Sequence, residues 1–459
     1  MVIWNARDGL PADSPGRESV QPSSTSHSSR ADSNSGVRVV IVDPGISTKG
    51  GHHYNSVMRL KSELELLGAP PLCFGSRFAD ESIVQDLALV PLFSRSVYSR
   101  KQWSRFEFKR HVSKTTRELR SALARLPPAD LIILPTCDQV LALALANVLE
   151  KMAEPRPHVV IWLLFAPHYK KAVDDPSVDG LWQEYREAFA ALSACLGDVE
   201  KLAIHCETNA MADAYEAATG INVNVVAAPN LVYAPSMPKV RQRPNPSPVV
   251  LCCGHANEPK GYRLLPGAIA SVLHEHAGVR FLIHGIVEGS DAKADAAIFD
   301  DLARLSDRVT VTRNILSPDD YVSLLNMADL VLLPYDPVVY RARGSGLFTE
   351  ATTLGIPVVV PRDCNFAEQA VNEGRAVGIE AYGPGGVSQA ILQALSSLDS
   401  LSEHAQAFAI QRRHAHEIGA ILAKALSVAG KGKNGVSLKP SDLKPITPLR
   451  LLRDFIGGS

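Results

Sequence analysis

Several apolar runs in this sequence lack the alternation of polar and apolar residues that a half-exposed strand would show. Examples are residues 37–43 (VRVVIVD), 129–135 (ADLIILP), 158–165 (HVVIWLLF) and 328–334 (ADLVLLP). Strands of this kind are covered on both faces, as they are in parallel sheets. Helical segments separate the runs, and strands that alternate with helices are typical of doubly wound sheets. The sequence therefore predicts an α/β fold with parallel sheets.

The strand–helix units fall into two series, which predicts two domains. Residues 1–36 are rich in Ser and have little periodicity, so we expect a disordered tail. The first series covers residues 37–227, and the proline-rich residues 228–248 read as a linker. The second series covers residues 249–430, and a Lys/Gly/Pro/Ser segment with a short amphipathic tail follows in residues 431–459.

Composition excludes several classes of protein. The formal net charge is −1, which argues against a nucleic-acid binder, and 46% of the residues are hydrophobic, as in a globular protein. The seven cysteines include no C-x-x-C pair, which favours buried thiols in a reducing compartment over disulfides or a zinc site. No apolar run reaches the ~18–20 residues of a membrane span, and residues 1–36 lack a signal-peptide core. We therefore expect a cytoplasmic protein.

The paired histidines are weak metal candidates. His52 and His53 are adjacent, and His274 and His276 are separated by one residue. Neither pair lies near a Cys or Asp cluster in the sequence, so we expect loop or surface residues rather than ligands.

Residues 340–361 (YRARGSGLFTEATTLGIPVVVP) carry the strongest site signal. Ser345 is a predicted cap for a helix that begins at Leu347, and a buried strand precedes the loop. A helix N-terminus beside arginines favours an anion, because free N–H groups and guanidinium both match phosphate oxygens. The alternative is that the arginines are solvated and Glu350 only complements the helix dipole. The residues of this candidate anion site are Arg341, Arg343, Ser345, Gly346, Leu347 and Glu350.

A second glycine-bounded loop, residues 254–261 (GHANEPKG), follows the first strand of the second series. Open α/β sheets bind ligands at this position, and Lys260 supplies a point charge suited to a phosphate. The alternative is an ordinary surface turn with a solvated lysine.

The two loops together resemble a known family. A Gly-basic-x4-Lys-Gly loop, followed later by a Ser-Gly/Glu-Ala/Gly-x-Pro stretch, is similar to the retaining GT-B glycosyltransferases of family 4, the glycosyl transferases group 1. The resemblance covers residues 37–429 and is strongest in the second domain. It implies two Rossmann-like domains facing a cleft, a nucleotide-diphosphate sugar donor, an unknown acceptor, no cofactor and no divalent metal. The chain also has no Asp-x-Asp triplet.

The resemblance assigns roles residue by residue. Lys260 matches the family lysine, His255 stands where the family usually has Arg, and Glu350 matches the second motif glutamate. The first motif glutamate is absent, because Ala342 occupies its position. The implied catalytic residues are His168, Lys260 and Glu350, and the implied base contacts are Asn314 and Ile315. The implied donor contacts are Gly50, Gly51, His255, Lys260, Arg341, Arg343, Ser345, Gly346, Leu347 and Glu350.

Three functional hypotheses remain open at this stage. The first is a metal-independent transferase that retains the anomeric configuration. The second is a sugar-nucleotide epimerase, which shares the two-domain cleft. The third is a catalytically silent GT-B module that binds a nucleotide sugar or a protein, and Ala342 is the feature that favours it.

Residues 95–120 combine many basic side chains with Tyr98, Trp103, Phe106 and Phe108. This pattern is compatible with a helix that lies on an anionic membrane or guides a lipid-diphosphate acceptor. The alternative is a solvated helix face with its aromatic residues in the core.

Overall fold

The computed structural model describes residues 36–49, 52–97, 104–124, 126, 128–167, 178–226, 229, 247–256, 258–286, 292–414 and 417–430. The described residues fall in one compact unit. Gly50, Gly51 and His168 lie outside the described residues, as do residues 1–35, most of the predicted linker 228–248 and the tail 431–459.

The first half of the chain forms a sheet of seven described strands, all parallel, in the order β3-β2-β1-β4-β5-β6-β7. The strands are β1 (Val39–Val42), β2 (Leu72–Ser76), β3 (Val90–Phe93), β4 (Leu131–Leu134), β5 (His158–Leu163), β6 (Leu202–Cys206) and β7 (Asn224–Val225). The predicted parallel α/β fold is therefore confirmed for this half. The edge strand β3 is absent from the sequence prediction, since its VPLF segment is too short to show a period.

Helices cover both faces of this sheet. They are α1 (His52–Leu66), α2 (Glu81–Leu87), α3 (Arg105–Leu123), α4 (Gln139–Leu149), α5 (Asp179–Leu196) and α6 (Asn209–Thr219). Side-chain caps explain where several begin: Ser104 and Glu107 form a capping box on α3, and Asp138 and Thr208 cap α4 and α6.

The second half forms a sheet of six described parallel strands in the order β10-β9-β8-β11-β12-β13. The strands are β8 (Val249–His255), β9 (Arg280–Ile286), β10 (Val309–Thr312), β11 (Leu330–Leu332), β12 (Val358–Pro361) and β13 (Ala376–Ile379). Strand β8 continues through His255, two residues beyond the predicted end, because Gly254 and His255 still pair with β9.

The second half of the chain contains nine α-helices in its described part. They are α7 (Leu265–Glu275), α8 (Ala292–Leu305), α9 (Pro318–Met327), α10 (Pro337–Tyr340), α11 (Gly346–Thr353), α12 (Glu368–Asn372), α13 (Pro384–Ser396), α14 (Leu398–His414) and α15 (Glu417–Gly430). The side chain of Ser317 caps α9.

Each sheet has an apolar core on both faces, because side chains alternate along its strands. In β1, Val40 and Val42 join one core while Val39 and Ile41 join the other. All four are at most 4% exposed, which explains the continuous apolar run in the sequence.

The last helix packs on the first sheet, although the sequence groups it with the second domain. Ile418, Leu422, Ala425 and Leu426 of α15 lie in the core that contains Ile41 and the other inward residues of that face. An Ala/Leu-rich helix carries no sequence signal for which sheet it will cover. The domain boundaries at residues 227, 248 and 430 stay predictions.

The two α/β halves contact each other at the carboxyl ends of their strands. The Thr208 hydroxyl, after β6, donates to the carbonyl oxygen of Ala342 at 3.2 Å. The backbone N–H of Ala210 donates to Oδ1 of Asn365 at 3.1 Å. The ligand-binding edges of the two sheets therefore face one another.

Helix α3 contains most of the basic stretch noted in the sequence. Phe108 is fully buried, but Phe106 is 74% exposed and stands on the same side as the basic residues. Among the helices that the structure describes, none combines the length and apolar character that a membrane crossing requires.

Candidate functional site

The loops after β8 and β11 are held together at the carboxyl edge of the second sheet. The N–H of Asp336 donates to the carbonyl oxygen of Pro259 at 2.9 Å. Gly261 has a φ of +71°, and a Cβ atom there would overlap the carbonyl oxygen of Pro334. Only glycine satisfies both conditions without strain, so this residue fixes how closely the lysine loop approaches β11.

Lys260 is directed toward the first turn of α11. Its ammonium donates to the Tyr335 hydroxyl at 2.7 Å, and the Ser345 hydroxyl lies 3.4 Å from the same oxygen. Tyr335 is 2% exposed and Ser345 is 6% exposed. The two predicted loops therefore converge, and Tyr335, which the sequence reading missed, joins them. The signal for it was its place directly after a buried strand that ends in Pro334.

The charge on Lys260 persists in this partly buried position. Burial by itself lowers the pKa of Lys260, but the hydroxyls of Tyr335 and Tyr340 outweigh it and the net direction is upward. Burial raises the pKa of Tyr335 to about 12, against the opposing effect of Lys260. The site therefore presents a fixed ammonium beside a neutral phenol.

Helix α11 has the predicted cap but begins at Gly346, one residue before the predicted start. Ser345 is its N-cap and accepts a hydrogen bond from the N–H of Phe348 at 3.2 Å. Gly346 and Leu347 are the first helical residues, whose N–H groups have no intrahelical acceptor. The helix start thus offers N–H donors close to the Tyr335 hydroxyl and the Lys260 ammonium.

The two arginines of residues 341–346, which we call the arginine loop, differ in environment. Arg341 is exposed. The Arg343 guanidinium carbon lies 4.7 Å from the ring centroid of Phe165, after β5, and 4.8 Å from that of Tyr340. Arg343 is therefore the arginine that lies between the two sheets' edges.

The side chain of Glu350 is held by a neighbouring helix. Its Oε2 atom accepts a hydrogen bond of 2.5 Å from the hydroxyl of Tyr321, on α9. This contact positions the carboxylate one turn into α11. Its predicted role toward a ribose stays a prediction, and Tyr321 is a supporting residue that the sequence reading missed.

The remaining predicted donor and base contacts lie at the ends of β8 and β10. His255 is exposed at the end of β8. The carbonyl oxygen of Asn314 lies 2.9 Å from Nε2 of His284, so that nitrogen carries a proton, and Ile315 is 75% exposed. Their roles toward the donor and the base stay predictions.

The position of the missing family glutamate is enclosed by the first half of the chain. Ala342 is 5% exposed and its carbonyl is bonded to Thr208. Beside it, a Cβ atom at Gly344 would overlap the carboxylate of Glu207, which follows β6. A first-domain carboxylate therefore lies directly against the arginine loop.

The paired histidines at residues 52 and 53 are not loop or surface residues, contrary to the sequence prediction. They begin α1, and Nδ1 of His53 lies 2.9 Å from Oδ1 of Asp43, which is fully buried. The prediction failed because Asp43 is ten residues away along the chain and comes close only through the β1–α1 turn. Within the described ranges, no group of three or more His, Cys, Asp or Glu residues is arranged to hold a metal ion.

Comparisons with known proteins agree with this geometry. Residues 247–397 match the family model of the glycosyl transferases group 1. No curated protein sequence matches the chain.

Solved structures share the whole fold at low sequence identity. A glycosyltransferase from Rickettsia africae has a TM-score of 0.61 at 12% identity, covering 86% of this chain and 99% of that one. WaaG, a glycosyltransferase involved in lipopolysaccharide biosynthesis, has a TM-score of 0.57 at 16% identity, covering 86% and 100%. The E. coli trehalose-6-phosphate protein bound with UDP-2-fluoro glucose has a TM-score of 0.58 at 12% identity, covering 86% and 99%.

The matched segment contains both loops that converge at the candidate site, and the two facing parallel sheets are those of the GT-B fold. The chain therefore has the GT-B fold, and its second half is similar over residues 247–397 to the glycosyl transferases group 1.

Proposed function

We propose that this chain transfers a sugar from a nucleotide-diphosphate sugar to an acceptor, with retention of the anomeric configuration. The observation that carries the proposal is the Lys260–Tyr335–Ser345 contact at the start of α11, with hydrogen-bond distances of 2.7 and 3.4 Å. An ammonium, a helix N-terminus and the nearby Arg343 form a site suited to a diphosphate. Retention is implied by the family, and proton NMR of the product's anomeric signal tests it.

The chemical step releases a nucleoside diphosphate and develops negative charge on it. Lys260, Arg343 and the N–H groups of Gly346 and Leu347 would stabilise that charge more strongly in the transition state than in the bound donor. Arg341 and His255, which are exposed, would contact the diphosphate from the outer edge of the site. Glu350, held by Tyr321, would accept the ribose hydroxyls, and main-chain groups near Asn314 and Ile315 would contact the base.

The first domain would complete the site. By resemblance, Gly50 and Gly51 would approach the donor phosphates and His168 would approach the reacting sugar. Closure of the two sheets' edges on the donor would exclude water, which otherwise hydrolyses it.

The same set of groups supports metal independence. Fixed cations and helix N–H donors neutralise a diphosphate without a bridging divalent ion. We therefore expect donor binding that EDTA does not change.

We propose glucose nucleotides as the first donors to test, because a protein of similar fold was solved with UDP-2-fluoro glucose bound. The test is a thermal-shift screen of the full chain with UDP, ADP and GDP and their glucose conjugates, with and without EDTA. Selective stabilisation that persists in EDTA supports the proposal. No shift with any nucleotide would reject it.

We further propose that the protein works in the cytoplasm at an anionic membrane surface, with α3 as the contact. The exposed basic residues of α3 far outnumber its acidic ones on that face, where Phe106 is 74% exposed. The basic residues are Arg105, Lys109, Arg110, Lys114, Arg117 and Arg120. Cosedimentation with anionic vesicles, but not with neutral ones, is expected, and a variant with Lys109, Lys114 and Arg117 changed to Gln should lose it. Equal pelleting with both lipids would refute this contact.

A further inference from the structure

The carboxylate of Glu207 belongs to the first domain but lies against the arginine loop of the second. Glu207 is half-buried and comes directly after β6. A Cβ atom added at Gly344 would overlap its carboxylate, so the missing side chain at Gly344 leaves the space that the carboxylate occupies. The arginine loop itself, RARGSG, contains no acidic residue. The carboxylate beside this loop is therefore supplied by the other half of the chain.

The arginine loop runs along the ends of two neighbouring strands of the first sheet. Strands β5 and β6 are paired in that sheet. The Arg343 guanidinium lies over the ring of Phe165, after β5, and the next residue, Gly344, lies against Glu207, after β6. Thr208 adds a hydrogen bond of 3.2 Å from its hydroxyl to a carbonyl oxygen of the loop. These contacts hold Glu207 at a defined place beside the loop.

Glu207 also lines a cavity of about 790 Å³ between the two halves of the chain. Ser345, Phe348 and Thr352 line the same cavity from α11. Consecutive residues of an α-helix are about 100° apart, so residues two positions apart point in nearly opposite directions. Phe348 and Thr352 are each two positions from Glu350. The cavity and the Glu350 side chain therefore lie on opposite faces of α11.

These two faces match the two ends of a nucleotide-diphosphate sugar. With the ribose at Glu350 and the diphosphate at the helix start beside Lys260, as proposed above, the donor crosses the N-terminus of α11. The sugar is attached at the end of the diphosphate away from the ribose, so it extends toward Ser345 and Glu207. An ionised carboxylate accepts hydrogen bonds at both of its oxygens, and a hexose presents hydroxyls on adjacent carbons.

We propose that Glu207 binds two adjacent hydroxyls of the sugar that is transferred and so determines which sugar the chain accepts. The proposal rests on the transferase function proposed above. It divides the donor between the domains: the nucleotide contacts Lys260, Arg343 and Glu350 of the second domain, whereas the sugar hydroxyls contact the first. The ligand class is a nucleotide-diphosphate hexose with hydroxyls on adjacent ring carbons.

The first test compares a nucleoside diphosphate with its hexose conjugates. Isothermal titration of the full chain with UDP, ADP and GDP and their glucose, galactose and mannose conjugates identifies the conjugate that binds most tightly. Glu207→Ala should weaken binding of that conjugate about 10- to 100-fold, the range for lost hydrogen bonds to a charged group. Binding of the nucleoside diphosphate alone should change less than about 2-fold. Glu207→Gln, which keeps one acceptor oxygen and the packing against Gly344, should lose less.

The second test removes the partner of Glu207 from the ligand. The 3-hydroxyl of a hexose belongs to either pair of adjacent ring hydroxyls, 2,3 or 3,4, so the 3-deoxy conjugate lacks one bond in both cases. The wild-type chain should bind this analogue about 10-fold or more weakly than the parent conjugate, because a site built for a hydroxyl rejects a ligand without it. In Glu207→Ala the two conjugates should bind alike, since the bond is already absent.

The outcomes separate this proposal from the transferase proposal. Glu403→Ala, at an exposed position of α14, should leave the binding of every ligand unchanged. If Glu207→Ala weakens the nucleoside diphosphate and the conjugate equally, Glu207 acts on the domain contact alone and the sugar proposal is overturned. Normal binding of the 3-deoxy conjugate to the wild-type chain, or additive losses in the variant, would also overturn it while the transferase proposal stands. If the wild-type chain binds none of the conjugates, both proposals are overturned.

Discussion

The Arg343 guanidinium carbon lies 4.7 Å from the ring centroid of Phe165, so a residue of the arginine loop contacts a strand end of the other domain. Arg341, two residues earlier, is exposed and makes no comparable ring contact in the described structure. The two side chains are a matched pair for testing which one binds phosphate.

Arg343→Ala is expected to weaken nucleoside diphosphate binding by about 10- to 100-fold, the range for a lost hydrogen bond to a charged group. Arg341→Ala should change it by less than about 3-fold, because an exposed ion pair contributes little. Isothermal titration with UDP measures both. Equal losses of binding in the two variants would contradict the prediction that Arg343, and not Arg341, binds the phosphate.

Lys260 is predicted to act mainly on the leaving group. Lys260→Ala should lower kcat for sugar transfer or donor hydrolysis about 100- to 1,000-fold, because it removes a preorganised donor to developing charge. Tyr335→Phe keeps the ammonium and removes only its 2.7 Å partner, so a smaller loss is expected. A Lys260→Ala variant with normal kcat would exclude the residue from the site.

Glu350 is predicted to recognise the ribose and not the phosphates. Glu350→Ala should weaken UDP binding about 10-fold while leaving inorganic pyrophosphate binding unchanged, whereas Lys260→Ala should weaken both. Tyr321→Phe removes the 2.5 Å bond to the carboxylate and should cost about 1 kcal/mol of unfolding free energy. Parallel losses for UDP and pyrophosphate in Glu350→Ala would contradict the ribose assignment.

Because Gly220 and Gly261 have the same φ of +71°, a comparison of the two distinguishes the cost of backbone strain from the cost of steric overlap. Apart from its chain neighbours, a Cβ atom added at Gly220, after α6, would meet nothing within 4 Å, so Gly220→Ala should cost only the left-handed conformation, about 1 kcal/mol. Gly261→Ala adds the overlap with Pro334 and should cost about 1–3 kcal/mol more. Urea denaturation of both variants measures the difference, and equal costs would show that the close approach to β11 is dispensable.

Acid should destabilise the first domain through two buried histidines. Burial, with smaller effects from His158 and Lys424, lowers the pKa of His205 to about 4, and burial also lowers the pKa of His158 to about 4. Between pH 6.5 and 4 the unfolded chain binds more protons than the folded chain, so stability is full above pH 6.5 and falls as the pH drops toward 4.

The measurement is the unfolding free energy at pH 7.5 and pH 5 by urea denaturation. We expect each histidine to contribute a loss of about 1–2 kcal/mol at the lower pH. His205→Leu should remove the contribution of His205 to this loss of unfolding free energy, whereas His274→Leu, at an exposed position, should leave the loss unchanged. If the unfolding free energy of His205→Leu depends on pH as that of the wild type does, His205 titrates normally.

Much of the fold could be predicted from local patterns. The runs that became β1, β4, β5 and β11 are apolar on both faces, and the loops at Lys260 and Ser345 follow strands at the edge where such sheets bind ligands. Tyr335, Tyr321 and Glu207 were missed because their roles depend on neighbours far away in the chain. Tyr321 contacts Glu350, which lies 29 residues later, through the packing of α9 on α11.

Asp43 shows the same limit in the first domain. As a single acidic residue after a strand it has no distinctive pattern, and His53 alone reads as a surface residue. Only the turn between β1 and α1 brings them within 2.9 Å, with Thr136 added from β4. Side-chain contacts of this kind depend on the three-dimensional fold and not on the periodicity of the sequence.

The packing of α15 on the first sheet has a consequence for biosynthesis. Residues near both ends of the described chain, such as Ile41 and Leu422, share one core. During translation the first sheet emerges early, and α1 and α2 cover part of this apolar face. The part that α15 covers, over β4 and β5, stays exposed until the whole second domain and α15 have left the ribosome. The domain that is synthesised first is therefore the last to be completed.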